Sequence, residues 1–96
     1  MINNQIASTK RKFDLEDRTL EFAKKVVYMC KRVPINTINK ELISQVIRSS
    51  GSVGANYREA NDSISKKDFV LRIKICRKES KESAYWLRLI IETNEE

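Results

Sequence analysis

The chain has 96 residues, enough for one small domain with a limited core. Nineteen Lys and Arg against thirteen Asp and Glu leave a formal charge of +6, which favours anionic partners, nucleic acid first, although a solvated soluble surface explains the same balance. There is no histidine, which excludes Ser-His-Asp and Cys-His nucleophiles and the Glu-x-x-His di-iron motif. We therefore expect no enzyme activity, no metal and no other cofactor.

Neither a membrane span nor a signal peptide is predicted. The apolar runs are short, and the polar start MINNQIASTKRK has no apolar core. This predicts a cytoplasmic protein. Cys30 and Cys76 can form a single disulfide, but two reduced thiols are favoured because cysteine packs as a small hydrophobic residue.

Residues 1–12 are predicted to form a disordered basic arm, and residues 13–96 a single helical domain. The arm ends in Lys10, Arg11 and Lys12, which can contact phosphates or simply increase solubility.

Three long helices are predicted, which makes the fold class all-α. The first runs from about Leu15 to Val33, where apolar residues recur at alternating spacings of four and three. Pro34 ends it, because the residue before a proline avoids the helical region.

The second helix is predicted from about Ile38 to Asn61, with Asn36 or Thr37 as its N-cap. Gly51 and Gly54 lie inside it and cost about 1 kcal/mol each relative to alanine, so a break near Gly51 is the ordinary alternative. We favour a continuous helix, because the apolar spacing keeps its phase across the glycines. The small residues would then let a neighbouring helix approach closely.

A polar cluster follows near the end of this helix. We expect Asn56 to donate an interhelical hydrogen bond that fixes the packing register. We expect Glu59 to form an ion pair with Arg48 or Arg72. A catalytic role for Glu59 with Arg58 is disfavoured, because adjacent positions on a helix point in different directions.

The third helix is predicted from Lys66 to about Thr93, behind the capping box Ser65–Asp68. Ile64 and Phe69 fit a hydrophobic staple across this start. One side of the helix has core spacing, and its residues are Phe69, Ile73, Cys76, Ser80, Ser83, Leu87 and Ile91.

Two further faces of this helix are candidate binding surfaces. A basic stripe comprises Lys67, Lys74, Arg77, Lys78, Lys81, Tyr85 and Arg88. Its cations can neutralise phosphates without reading sequence, and Tyr85 can stack on an exposed base, but a solvated helix face explains the same pattern. An apolar strip comprises Leu71, Ile75, Trp86 and Leu89 and calls for a second packing partner, either another subunit or a different protein.

The segment QVIRSSGSVGANYREANDSISKKDFVLRI resembles the four-helix-bundle proteins known as 23S rRNA intervening-sequence proteins. The segments FDLEDRTLEFAKKV and YWLRLIIET fit the same family, so the resemblance covers roughly residues 13–94. The positions that carry it in the central segment are Gln45, Arg48, Ser52, Asn56, Glu59, Lys67 and Phe69.

The resemblance implies an up-down antiparallel bundle that assembles as a homo-oligomer, a pentamer. The chain is also similar to the accessory variability proteins of diversity-generating retroelements, which are basic pentamers that bind nucleic acid and a reverse transcriptase. No catalytic residues are implied. Family members usually continue into a fourth helix, so either a fourth helix is missing here through truncation or this member has three helices. Three helices would leave a groove open beside the apolar strip, and another chain could fill it.

The leading hypothesis is a non-catalytic oligomeric helical bundle that binds RNA or DNA through a basic face without strong sequence specificity. The alternative is a protein-protein interaction module that uses the apolar strip and binds no nucleic acid.

Overall fold

The protein is built from long α-helices, seen in a computed structural model. The structure describes the backbone of residues 2–95 and the side chains of residues 14–95. The helices are α1 (Ile2–Cys30), α2 (Thr37–Asn61) and α3 (Lys66–Asn94), and residues 2–95 contain no strand. The predicted all-α class is therefore confirmed. None of the helices in this range is long and apolar enough to cross a membrane.

Helix α1 differs from its prediction at both ends. It begins at Ile2, so its backbone is helical over most of residues 1–12, where the sequence predicts a disordered arm. No proline or glycine precedes Pro34, so nothing in the chain forces a later start. The side chains of the predicted basic arm lie outside the described residues, and its contact with phosphates stays a prediction.

The end of α1 comes earlier than the predicted Val33. The amides of Arg32 and Val33 donate to the carbonyls of Met29 and Cys30, at 3.0 and 3.2 Å. These three-residue spacings tighten the chain as the α-helix ends, ahead of Pro34.

Helix α2 is continuous through both glycines, as predicted. Asn36 is its N-cap, with the side-chain oxygen accepting from the amide of Asn39 at 2.8 Å. Neither glycine has a positive φ, so both are ordinary helical residues.

The predicted close approach of a neighbouring helix occurs at Gly54 and not at Gly51. A Cβ atom added to Gly54 would lie 3.0 Å from the hydroxyl oxygen of Thr19 and 3.3 Å from its Cβ. One added to Gly51 would meet nothing within 4 Å. Helix α1 therefore crosses α2 at Gly54.

Helix α3 starts where the capping box predicts. The hydroxyl of Ser65 accepts a hydrogen bond from the amide of Asp68 at 3.1 Å. The predicted staple is wrong, because Ile64 is 100% exposed and cannot pack on Phe69.

Neighbouring helices run antiparallel. Asn39, near the start of α2, exchanges amide hydrogen bonds with Asn94, at the end of α3. Towards the other end of the pair, Arg72 reaches Asn56. Among the described residues, no Cα atom of α1 lies within 8 Å of one in α3. Helix α2 therefore lies between the other two, and a groove opens between α1 and α3.

The core is centred on Val26, Cys30, Val46 and Ile90, all nearly or fully buried. The sequence places Ile91 on the core side of α3, but Ile91 is 46% exposed whereas Ile90 is 1% exposed. Adjacent positions differ by about 100° around a helix, so the packing against α2 selects one of the two isoleucines.

A pair of serines replaces apolar contact in the middle of the α2–α3 interface. Ser49 and Ser83 are 3% and 0% exposed, and their hydroxyl oxygens are hydrogen-bonded at 2.9 Å. Ser83 also lies 2.8 Å from the carbonyl oxygen of Glu79. The small side chains let the two backbones approach, and the hydrogen bonds offset the cost of burying the hydroxyls.

Candidate nucleic-acid interface

The structure gathers the predicted basic stripe on one exposed face of α3. All seven side chains of the stripe, six cations and Tyr85, are exposed. Because α3 is a single uninterrupted helix, the stripe extends over about 32 Å from Lys67 to Arg88. Ser83 and Ile90 face α2 on the other side of the helix, so the stripe points away from the core.

Charge is densest in the middle of the stripe. Lys74, Arg77, Lys78 and Lys81 line a shallow depression of ≈ 520 Å³ together with Glu82. Four cations against one carboxylate leave a local excess of positive charge. Glu82 is not a member of the predicted stripe and lies to one side of it, and its position directly after Lys81 is the sequence signal for this contact.

The C-terminal end of the stripe is partly neutralised. Arg88 forms an ion pair with Glu92, one turn further along α3, and both side chains are largely exposed. The spacing of four residues between opposite charges is the sequence signal for this pair. Arg88 is therefore the cation of the stripe with the least free charge.

Tyr85 is the aromatic residue of the stripe, and it is 61% exposed. Its ring centroid lies 5.1 Å from that of Trp86, with 75° between the planes, which is an edge-to-face contact. Trp86 is half-buried and packs against the core cluster. An anchored tryptophan thus supports an exposed tyrosine within a row of cations.

The apolar strip of α3 does not form one continuous open surface. Leu71 is 55% exposed, whereas Ile75 and Leu89 are half-buried. Trp86 is committed to the core, because it lies beside the seam that runs through Ser83 and Ile90.

A separate apolar opening lies on the other side of α3, between α3 and α1. This groove has a volume of ≈ 390 Å³, and Leu15 at its rim is 40% exposed. Its lining residues are Leu15, Arg18, Thr19, Phe22, Val53, Ser80, Ala84 and Leu87. None of the four residues of the apolar strip lines this groove, so it is a different opening from the one predicted beside the strip.

Asn56 bridges α2 and α3 as predicted, but it accepts the interhelical hydrogen bond instead of donating it. The side-chain oxygen of Asn56 accepts from a guanidinium nitrogen of Arg72 at 3.1 Å. Its amide nitrogen is directed back into α2, 2.9 Å from both the carbonyl and the hydroxyl of Ser52. The bridge therefore fixes register through an acceptor, because the donors of Asn56 have local partners.

The ion pair predicted for Glu59 is not formed within the described part of the chain. Glu59 is exposed, and Arg48 donates instead to the side chain of Gln45 at 2.7 Å. The adjacent Arg58 makes the interhelical pair, 3.4 Å from Glu16 of α1. Adjacent positions differ by about 100° around a helix, so Arg58 faces α1 whereas Glu59 faces solvent.

The two cysteines are free thiols, in agreement with the favoured prediction. Burial raises the pKa of both Cys30 and Cys76, which disfavours the reactive thiolate. Among the described residues, no group of three or more His, Cys, Asp or Glu side chains is placed to hold a metal ion.

These features define a small all-helical protein, held together by an antiparallel α2–α3 pair with buried polar contacts and carrying one cation-rich outer face. A family model described as 23S rRNA-intervening sequence protein matches residues 11–95. The chain belongs to that family, and the predicted resemblance is confirmed.

A solved structure with a similar fold is a protein of unknown function from the S23 ribosomal protein family of Bacteroides thetaiotaomicron. It is 36% identical, with a TM-score of 0.73, and the match covers 85% of this chain and 73% of that chain. A comparison with curated proteins gives no match.

Proposed function

We propose that this protein is a non-catalytic nucleic-acid-binding protein that uses the basic stripe of α3 and has no strong sequence specificity. The observation that carries the proposal is the exposed row of six cations on one helix face, four of which line one depression. Lys and Arg bind phosphates by releasing counterions, which requires no contact with base edges. The formal charge of +6 acts in the same direction over longer distances.

The stripe is ready to bind without rearrangement of the backbone. Helix α3 is fixed along α2 by Ser83 and Ile90, so the backbone positions of the stripe are set before any ligand arrives. Only the long side chains would lose freedom on binding, which limits the entropic cost.

Charge reversal of the stripe should remove binding. In a variant with Lys74→Glu, Lys78→Glu and Lys81→Glu, we expect no measurable binding of RNA or DNA at low salt. Three phosphate contacts contribute about 2 to the slope of log K against log salt for a single strand, and the added carboxylates also repel the nucleic-acid backbone. Fluorescence anisotropy at ~50 and ~200 mM salt measures the salt slope of the unmodified protein and the loss of binding in the variant.

The matched control makes the same change of charge at two lysines of α1 and at Lys31, directly after this helix. Lys24, Lys25 and Lys31 are exposed, and their replacement by glutamate changes the net charge equally while leaving the stripe intact. We expect this variant to keep most of the binding. Equal losses in the two variants would show that net charge, not the stripe, is responsible. Absence of binding by the unmodified protein at low salt would refute the proposed function.

We also propose that the chain forms a homo-oligomer through the groove between α1 and α3. The support is apolar surface that remains open on the described chain, with Leu15 at the rim and Val53 at the floor. A small domain gains stability by covering such surface with a second copy. Assembly would also present several stripes to one nucleic acid and increase the apparent affinity.

Leu15→Lys should dissociate the assembly, because a charge in the groove would have to be buried without a partner. Analytical ultracentrifugation measures the mass. Leu20→Lys is the matched control, since Leu20 is 43% exposed on the same helix and does not line the groove. A monomer at every concentration of the unmodified protein, or equal effects of the two variants, would contradict this contact.

The alternative of a protein-docking module on the apolar strip has less support. Its largest side chain, Trp86, packs against the core cluster, and Leu71 is the member that remains broadly exposed. A single exposed leucine is common on soluble proteins and does not define a docking site.

A further inference from the structure

The stripe combines charge with an aromatic ring, and this combination selects among nucleic acids. We propose that the basic stripe binds single-stranded rather than double-stranded nucleic acid, with one base stacked on Tyr85 and the adjoining phosphates held by Lys74, Lys78 and Lys81. The inference rests on the proposed function and adds the form of the ligand.

The spacing along α3 brings ring and cations together. Lys78, Lys81 and Tyr85 follow each other at three and four residues, so they lie on the same side of the helix. Tyr85 is one turn beyond Lys81, about 6 Å along the axis. A base on the ring would therefore place its own backbone beside the densest group of cations.

The ring of Tyr85 is held in place before binding. Its edge-to-face contact with Trp86 restricts its rotation, and Trp86 is fixed by packing against the core cluster. An aromatic side chain with few accessible rotamers loses little entropy when a ligand stacks on it. With 61% of Tyr85 exposed, the contact with Trp86 leaves most of the side chain accessible.

A duplex cannot use this arrangement fully. Its base faces are stacked on one another, and the major groove of double-stranded RNA is too narrow for side chains to read. A duplex would touch the lysines and leave Tyr85 without a stacking partner. A single strand presents base faces, and stacking on an aromatic ring accepts any base.

Trp86 is the chain's single tryptophan, which provides a direct readout. We would titrate the protein with oligothymidylate, with oligouridylate, with the oligothymidylate annealed to its complement, and with inorganic polyphosphate. We expect the single strands to bind about tenfold more tightly than the duplex and to change the tryptophan emission. Polyphosphate should compete for the lysines without changing the emission. The two single strands separate DNA from RNA as the preferred source of the strand.

Tyr85→Ala should weaken single-strand binding by about tenfold and leave duplex and polyphosphate binding unchanged, whereas Tyr85→Phe keeps the ring and the affinity. Tyr28→Ala is the control, because Tyr28 is 57% exposed beside Lys31 on α1, away from the stripe. Equal binding of duplex and single strand, with no effect of Tyr85→Ala, would overturn the inference. In that case, loss of binding in the variant with glutamate at Lys74, Lys78 and Lys81 would still support the proposed function. Failure of every polyanion to bind would overturn both.

Discussion

Replacing Ile90 with alanine should lower the free energy of unfolding by about 3 kcal/mol, and the same change at Ile91 by well under 1 kcal/mol. Ile90 is 1% exposed and belongs to the cluster with Val26, Cys30 and Val46. Alanine there removes buried methyl and methylene groups and leaves a cavity that long packed helices cannot close. Ile91 is 46% exposed, so its truncation exchanges little buried surface.

Urea denaturation of the two variants measures this difference. If Ile90→Ala proves too unstable to study, Ile90→Val should cost about 1 kcal/mol and give a graded value. The two positions are adjacent and carry the same side chain, so differences in helix propensity and hydrophobicity cancel in the comparison. Similar losses at both positions would mean that the seam of α3 does not run through Ile90.

Replacing Gly54 with leucine should destabilise the protein by roughly 1–3 kcal/mol, whereas Gly51→Leu should stabilise it by roughly 0.5–1 kcal/mol. Both positions lie inside α2, where leucine is the better helix former. At Gly54, the added side chain would meet Thr19 from 3.0 Å outward and push α1 away. At Gly51, which is exposed, an added Cβ atom would meet nothing within 4 Å, so the gain in helix propensity dominates.

Thermal or urea unfolding tests this pair, and a double variant tests the cause. Thr19→Ala removes the hydroxyl that the new side chain meets, so it should recover part of the loss in Gly54→Leu while having no such effect in Gly51→Leu. Stabilisation by leucine at both glycines would show that α1 does not approach α2 at Gly54.

Local features of the fold could be predicted from the sequence because their causes are local. Ser65 followed by Asp68 identifies the start of α3, and Pro34 limits α1. The continuity of α2 follows from apolar spacing that keeps its phase across Gly51 and Gly54. The start of α1 could not be located, because neither a cap residue nor a breaker marks Ile2.

Contacts between helices are harder to predict from the sequence, because neighbouring residues in one helix compete for the same contact. Ile90 and Ile91 both suit a core, and the position of α2 decides which one is buried. In the same way, Arg58 and not Glu59 forms the interhelical ion pair, with Glu16 of α1. A helical wheel gives angles within one helix and does not contain the direction of its neighbour.

The basic stripe could be predicted more fully than its surroundings. Its members share a face as soon as α3 is one helix, and a surface that points away from the core depends on no neighbouring element. The depression shared with Glu82 and the support of Tyr85 by Trp86 depend on side-chain conformations, which the sequence pattern does not contain.

The polar contacts between α2 and α3 restrict how the two helices can be aligned. Two helices with purely apolar faces can slide along each other. Polar contacts hold α2 and α3 in register at both ends and in the middle, and these contacts are Asn39–Asn94, Arg72–Asn56 and Ser49–Ser83. A slip by one turn, about 5.4 Å, would break all of these at once and leave buried polar groups unpaired, at about 1–3 kcal/mol each. The α2–α3 hairpin therefore has one admissible alignment, and the backbone that carries the stripe keeps a fixed position relative to α2 even when contacts with α1 change.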